Sequence, residues 1–336
     1  MNVVDKQCIE FIKGIAIVLM VAHHAYGFPY YYVDEFSHLD YGYFVYIADK
    51  IFKICVPVYA FLTSYLFYLH EDKSIKYVSY KIALLFISWW IALIFMLFCV
   101  YVTGDFKLSV VEILNETFVI DEKLGRFSWY VWFYAACMLI LYVVAKIVNL
   151  FKRAQDLVSF ITFAFIIAFS KVTGTGELWE YTWMPAVMMG WYAARFNCIN
   201  VFLSSQAIKR AHNVWLGIVG ILFSLCLWHI LSYVPIYAVR MIAVAPFALF
   251  CVMTSKTAYP VLIKLFATLG SYGLYLWFLH ALFFSVVTRD AWQPLLYRYF
   301  EPWFVVPVII IICFPFSMLL STLQRWVNKY LKALFL

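Results

Sequence analysis

The feature that most constrains this chain is a series of long apolar segments, each of a length that can cross a lipid bilayer. Ten segments can be delimited, at approximately 11–28, 45–69, 82–103, 129–149, 157–173, 181–196, 213–232, 235–254, 266–287 and 303–323. A membrane-spanning helix needs about 20 predominantly apolar residues. The period-two alternation of a transmembrane barrel is absent. The sequence therefore predicts an all-α, polytopic integral membrane helical bundle of about ten transmembrane helices.

Composition argues against a water-soluble globular protein. Of the 336 residues, 66% are hydrophobic and 13% are charged, whereas a soluble domain has about 25% charged residues. The first apolar segment lacks a small-residue cleavage pattern and is interpreted as a retained span. The eight cysteines form no CxxC pair, so neither a zinc site nor a redox motif is indicated. We expect a single transmembrane domain over 1–336, with no separate soluble domain and no metal.

The distribution of basic residues predicts the orientation in the membrane. If the amino terminus is cytoplasmic and there are ten spans, 16 of the 25 lysines and arginines lie inside, 6 lie outside and 3 lie within spans. Cytoplasmic loops of membrane proteins carry the excess of lysine and arginine. The sequence therefore predicts that both termini are cytoplasmic. The net charge of +7 needs no nucleic acid to explain it.

The first apolar segment contains ionisable side chains, which are costly within a bilayer and are therefore functional candidates. Lys13 and His24 are eleven residues apart, which places them on one helix face and about 16 Å apart along the axis. His23 projects from a different face. A cation near the cytoplasmic end and a deeper imidazole suit a phosphate-bearing thioester donor and acid–base or nucleophilic chemistry. Alternatively, Lys13 anchors the span and His24 bonds a neighbouring carbonyl.

Four motifs in this chain resemble those of the integral membrane acyltransferase 3 family. The first runs from Glu10 through Lys13-Gly-Ile-Ala to His24, with lysine at the position where the family has arginine. The others are Val56–Tyr65, Trp132-Phe133 and Leu269–His280. The resemblance covers roughly residues 8–320, and ten spans are expected of this family.

The resemblance implies a membrane O-acyltransferase that transfers an acetyl or similar short acyl group from cytoplasmic acyl-coenzyme A. The acceptor would be a hydroxyl of an exported or cell-surface polysaccharide or of a lipid-linked sugar. The family pattern makes His24 the catalytic candidate and Lys13 a binding residue for coenzyme A phosphates; Arg240 either meets an anionic group or pairs with another helix. Further candidates are Glu10, His23, His280 and Trp132, of which His280 could equally be a hydrogen bond between helices.

Two other functions are compatible with the sequence. A transporter of a lipid-linked sugar or small solute would usually show interrupted spans in two related halves, and no such symmetry is visible. The second alternative is a non-catalytic descendant of the acyltransferase fold. For the enzyme, the expected partners are acetyl-CoA or another acyl-CoA as donor substrate, the glycan acceptor and the lipid bilayer, with no permanently bound cofactor. The expected location is a bacterial, cytoplasmic-type cell membrane, and the oligomeric state is left open.

Overall fold

The computed structural model describes residues 4–27, 50–102, 108–120, 123–124, 128–172, 181–204, 213–234, 237–285 and 287–335. Within these ranges the regular structure is helical, and no strand occurs. The helices are α1 (Lys6–Gly27), α2 (Cys55–Leu69), α3 (Ile75–Val102), α4 (Val110–Phe118), α5 (Tyr130–Leu150), α6 (Gln155–Val172), α7 (Met184–Arg195), α8 (Cys198–Ser204), α9 (Val214–Leu231), α10 (Tyr237–Arg240), α11 (Val244–Thr257), α12 (Pro260–Ser271), α13 (Gly273–His280), α14 (Arg289–Tyr299) and α15 (Pro302–Phe335).

The all-helical membrane class predicted from the sequence is confirmed. In the described part of the chain, seven helices are long and apolar enough to cross a membrane, or up to eight if a broken pair counts as one span. The broken pair is α12 and α13, which replace the continuous ninth span that the sequence predicts and are separated at Tyr272. Helix α7 has 12 residues, or about 18 Å, which is short for a span. The total of ten spans and the cytoplasmic termini stay predictions. Residues 104–107, 121–122 and 125–127 of the predicted 104–128 connection lie outside the described residues, and its described part contains α4.

The chain divides into two compact units. Unit 1 comprises Met1–Ala16, Ile54–Ser79 and Phe133–Gly270, and unit 2 comprises Ile17–Lys53, Tyr80–Trp132 and Ser271–Leu336. Helix α1 contributes residues to both units.

Glycines allow close packing of helices within unit 1. Gly190 on α7 lies against the backbone of Phe61 on α2, because a β-carbon built at Gly190 would be 2.2 Å from the Phe61 carbonyl oxygen. Gly217 on α9 similarly lies against Thr254 on α11. A side chain at either glycine would push the helices apart, so these positions fix the distances between the helices.

Polar and aromatic contacts organise unit 2. Helix α13 packs along α15, and α3 is tied to α15 by a hydrogen bond from the Gln324 amide to the Ser88 hydroxyl. Helix α4 is held at its carboxyl end by three tryptophans. The indole N–H groups of Trp89, Trp90 and Trp132 donate to the carbonyls of Glu116, Thr117 and Phe118, respectively, over 2.9–3.0 Å. The last carbonyls of a helix have no partner within the helix, so these indoles act as its cap.

Candidate active site

Two buried histidines of unit 2 are joined by a short hydrogen bond. The Nδ1 atom of His24, near the carboxyl end of α1, lies 2.6 Å from Nε2 of His280, the last residue of α13. The two rings are parallel within 1°, with centroids 4.9 Å apart. Together with the short N–N distance, this separation indicates an edge-to-edge, in-plane contact. His24 is 8% exposed and His280 is fully buried.

The surrounding hydrogen bonds assign the ring protons of this pair. Nδ1 of His280 lies 3.1 Å from the carbonyl oxygen of Leu276. A carbonyl can only accept, so Nδ1 of His280 carries the hydrogen, and Nε2 of the neutral ring is an acceptor. The hydrogen between the two rings therefore belongs to Nδ1 of His24. The basic lone pair of His24 is consequently on Nε2, the nitrogen that faces away from His280.

This arrangement has the form of an oriented general base. In known catalytic sites, a partner on one ring nitrogen fixes the tautomer and orientation of a histidine whose other nitrogen exchanges the proton. Here the hydrogen bond to His280 orients the ring of His24, and the hydrogen bond to the Leu276 carbonyl orients the ring of His280. The sequence allowed two interpretations of His280, as a residue of the family site or as a hydrogen bond between helices. The structure shows a hydrogen bond between α13 and α1.

The cation at the other end of α1 belongs to unit 1 and has an acidic neighbour. The ammonium of Lys13 lies 3.3 Å from Oε1 of Glu10, one turn earlier, and the two side chains are 28% and 16% exposed. The second carboxylate oxygen of Glu10 is buried and has no hydrogen-bond partner within the described part of the chain. The hydroxyl of Tyr59 donates to the backbone carbonyl of Lys13. Lys13 is thus partly accessible and pre-positioned by a carboxylate.

A comparison with known protein families gives a match over most of the chain. A family model described as an acyltransferase domain matches residues 6–322, nearly the whole chain. The chain belongs to the acyltransferase 3 family. The chain has no match among curated proteins and none among solved structures. Membership of the acyltransferase 3 family supports an acyltransferase-type function in a membrane.

The other predicted site residues of this acyltransferase 3 family member have partners of their own. Arg240 donates from a terminal guanidinium nitrogen to the carbonyl of Ser232. Trp132 caps α4 through the Phe118 carbonyl and packs edge-on against the ring of Phe86. The ring of His23 is buried beside that of His24, with centroids 5.4 Å apart. No group of three histidine, cysteine or acidic residues that could hold a metal occurs among the described residues.

Unit 1 of this acyltransferase 3 family member also contains a polar cavity of about 550 Å³. Charged residues of its lining are Glu71, Lys73, Lys146, Asp156 and Arg195. Nε of Arg195 is 3.0 Å from the Asp156 carboxylate. The charges of Arg195 and Asp156 cancel. The remaining charged residues of the lining are two lysines and one glutamate, so the lining has a net positive charge. This cavity was not predicted from the sequence, because its residues come from four separate helices and one connection.

Proposed function

We propose that this protein is a membrane O-acyltransferase that moves an acetyl or similar short acyl group from cytoplasmic acyl-coenzyme A to a sugar hydroxyl. The acceptor is an exported or cell-surface polysaccharide or a lipid-linked sugar. The observation that carries the proposal is the chain from the Leu276 carbonyl through His280 to His24, which leaves the basic lone pair on Nε2 of His24. Family membership supports acyl transfer as the reaction.

In the proposed reaction, His24 moves one proton. Its Nε2 removes the proton from the attacking sugar hydroxyl while the oxygen forms a bond to the thioester carbonyl carbon. Collapse of the tetrahedral intermediate breaks the carbon–sulfur bond and releases the coenzyme A thiolate. The thiolate then accepts the proton from Nε2 of His24. The alternative route, in which Nε2 first accepts the acyl group and the sugar then attacks the acyl-histidine, uses the same atoms. His280 acts as a positioning residue in both routes.

We place the anionic end of the donor in unit 1. The ammonium of Lys13 is partly exposed and can pair with phosphate as a point charge. Lys13 and His24 lie on one uninterrupted helix, α1, and their separation of eleven positions corresponds to about 16 Å of helix rise. The polar cavity of unit 1 has an excess of lysine, at Lys73 and Lys146, and offers further cations for an anionic ligand.

A direct test measures acetyl transfer to glycan. Cells that express the wild-type protein, His24→Ala or His23→Ala would be labelled with isotopic acetate, and the surface glycan would be analysed by mass spectrometry. We expect acetylated glycan with the wild-type protein, a loss of at least about 100-fold with His24→Ala, and a much smaller effect with His23→Ala. Equal acetylation by wild type and His24→Ala, with both proteins present in the membrane, would remove His24 from the mechanism. Movement of a sugar without any acetylation would favour the transporter.

A further inference from the structure

Gln293 is a buried glutamine whose side-chain amide makes no hydrogen bond within the described part of the chain. It lies on α14 and is 1% exposed. Among the described residues, neither its amide nitrogen nor its amide oxygen has a hydrogen-bond partner. Buried polar side chains in folded proteins nearly always have at least one partner, because the lost hydrogen bonds to water must be replaced. A buried amide with two unsatisfied atoms is therefore a candidate group for binding a ligand.

Hydroxyl groups described in the same segment of the chain do have hydrogen-bond partners. The hydroxyls of Ser285 and Thr288 are 2.7 Å apart, and Thr288 also donates to the carbonyl of Leu282. The hydroxyl of Tyr297 donates to the carbonyl of Ala25 over 2.7 Å. These three hydroxyls thus have partners, whereas the Gln293 amide has none among the described residues.

The position of Gln293 connects it with the histidine pair of the same unit. Tyr297 follows Gln293 by four residues, so the two side chains lie on the same face of α14. The Tyr297 hydroxyl is bonded to Ala25, the residue that follows His24. One face of α14 is therefore attached to α1 beside the proposed base, and Gln293 is one turn along that face. The predicted topology puts this end of α1 on the outer side, from which an exported sugar would come.

The chemistry of a primary amide fits a neutral sugar. Glutamine carries two N–H donors and an oxygen with two lone pairs, and a sugar presents hydroxyls that both donate and accept. An amide carries no charge and therefore gives no preference to an anionic acceptor.

We propose that Gln293 binds the acceptor sugar through its hydroxyls and orients the reacting hydroxyl toward Nε2 of His24. This inference rests on the proposed function and extends it to the acceptor. A site built to bond a substrate hydroxyl discriminates strongly against analogues that lack it, because the buried partner is left unpaired. Gln293 is accordingly a specificity-determining residue for a neutral, hydroxyl-rich saccharide.

The first experiment compares Gln293→Leu with the matched control Gln324→Leu in nanodiscs. Gln324 also belongs to unit 2, but its amide is bonded to Ser88. Gln293→Leu removes unsatisfied atoms at similar volume, so its Tm should be unchanged or higher by a few degrees, whereas Gln324→Leu should have a lower Tm. Using surface glycan extracted from the host as acceptor, Gln293→Leu should raise the acceptor KM about 10- to 100-fold, with the acetyl-CoA KM unchanged. A lower Tm together with an unchanged acceptor KM would show that Gln293 is a structural residue and would overturn the proposal.

The second experiment separates this inference from acyl transfer. A set of neutral methyl glycosides would be added to the protein in nanodiscs without acyl-CoA, and binding would be followed by tryptophan fluorescence. Glycoside binding by the wild-type protein that Gln293→Leu abolishes would support the role of Gln293 even if no acyl transfer occurs, in which case only the proposed function fails. Acyl transfer by both proteins with equal acceptor KM values and equal glycoside binding would overturn the role of Gln293 and leave the proposed function intact.

Discussion

Gly270 of α12 lies directly against Gly14 of α1, and both belong to unit 1. A β-carbon built at Gly270 would be 2.8 Å from the Gly14 nitrogen and 1.8 Å from the carbonyl oxygen of Glu10. A β-carbon at Gly14 would be 1.8 Å from the carbonyl oxygen of Phe266. The two helix backbones are therefore in contact, as small residues permit in membrane helix pairs. This contact holds the part of α1 that carries Glu10 and Lys13.

Gly14→Ala and Gly270→Ala should each lower the yield of folded protein and its Tm. Overpacking costs about 1–3 kcal/mol in many cores, and the upper end is expected here because the obstacles are backbone atoms. Gly220→Ala is the matched control, since its β-carbon would meet the ring of Phe250, a side chain that can rotate. Size-exclusion profiles and thermal unfolding in detergent would compare the three variants. Equal losses for Gly220→Ala and Gly14→Ala would contradict the backbone explanation.

His280→Asn should slow acyl transfer about 100-fold, because His24 loses the partner that fixes its tautomer. The KM values for both substrates should change little, since His280 positions the base and does not contact substrate. The pH dependence of kcat should also shift, because the hydrogen bond to Nδ1 of His24 affects the basicity of Nε2. A change in Tm with normal kcat and an unchanged pH profile would indicate a purely structural role.

Lys13→Ala should raise the KM for acetyl-CoA more than it lowers kcat. An interaction made equally in the ground and transition states affects KM and spares kcat. Lys13→Arg should be tolerated or bind more tightly, because a guanidinium can contact phosphate with two N–H groups. Lys264→Gln serves as a control for the loss of one lysine charge in unit 1. Steady-state kinetics in nanodiscs would measure the series, and a constant KM for all variants would mean that Lys13 is only an anchor.

Asp5→Asn should lower the Tm at neutral pH. Oδ2 of Asp5 is 2.6 Å from the Lys256 ammonium, and Oδ1 accepts from the backbone N–H of Cys8. These bonds, led by that from Lys256, lower the pKa of the Asp5 carboxyl from 3.8 to about 2. A lowered folded-state pKa stabilises the protein above the unfolded-state pKa, and this contribution is lost as the pH falls through the folded-state pKa. The Tm difference between the two proteins should therefore be constant from pH 5 to 8 and should shrink only between about pH 4 and pH 2. A difference that already disappears near pH 6 would contradict this assignment.

Single cysteines placed in 29–44 and 104–128 should react with a membrane-impermeant reagent added from outside the cell. The expectation rests on the unequal distribution of lysine and arginine, with 16 predicted inside and 6 outside. The background would be a variant in which exposed Cys198 and Cys226 are changed to serine. A cysteine in the terminal helix beyond Lys329 should react only after the membrane is permeabilised. The opposite pattern would reverse the predicted orientation.

The sequence by itself determined the membrane class, the helical content and the family. Apolar segments of bilayer length and a low charged fraction are local properties, and they persist whatever the helices pack against. The acyltransferase 3 motifs around Glu10, His24 and His280 were visible for the same reason, because each lies within a short stretch. Helix length was less certain: α7 is shorter than the predicted span at 181–196, and the predicted span at 266–287 is broken at Tyr272.

Only the tertiary structure decided which of these residues meet. His24 and His280 are separated by 256 positions, and no periodicity within either helix can specify a hydrogen bond between them. The unused amide of Gln293 carried no signal in the sequence, because a glutamine is unusual only when its surroundings fail to satisfy it. The contact of Gly14 with Gly270 likewise depends on how two helices approach. Which helices contact each other, and which polar groups find a hydrogen-bond partner, depends on the side chains packed around them. Packing brings together parts of the chain that are distant in sequence, so a local sequence pattern does not contain this information.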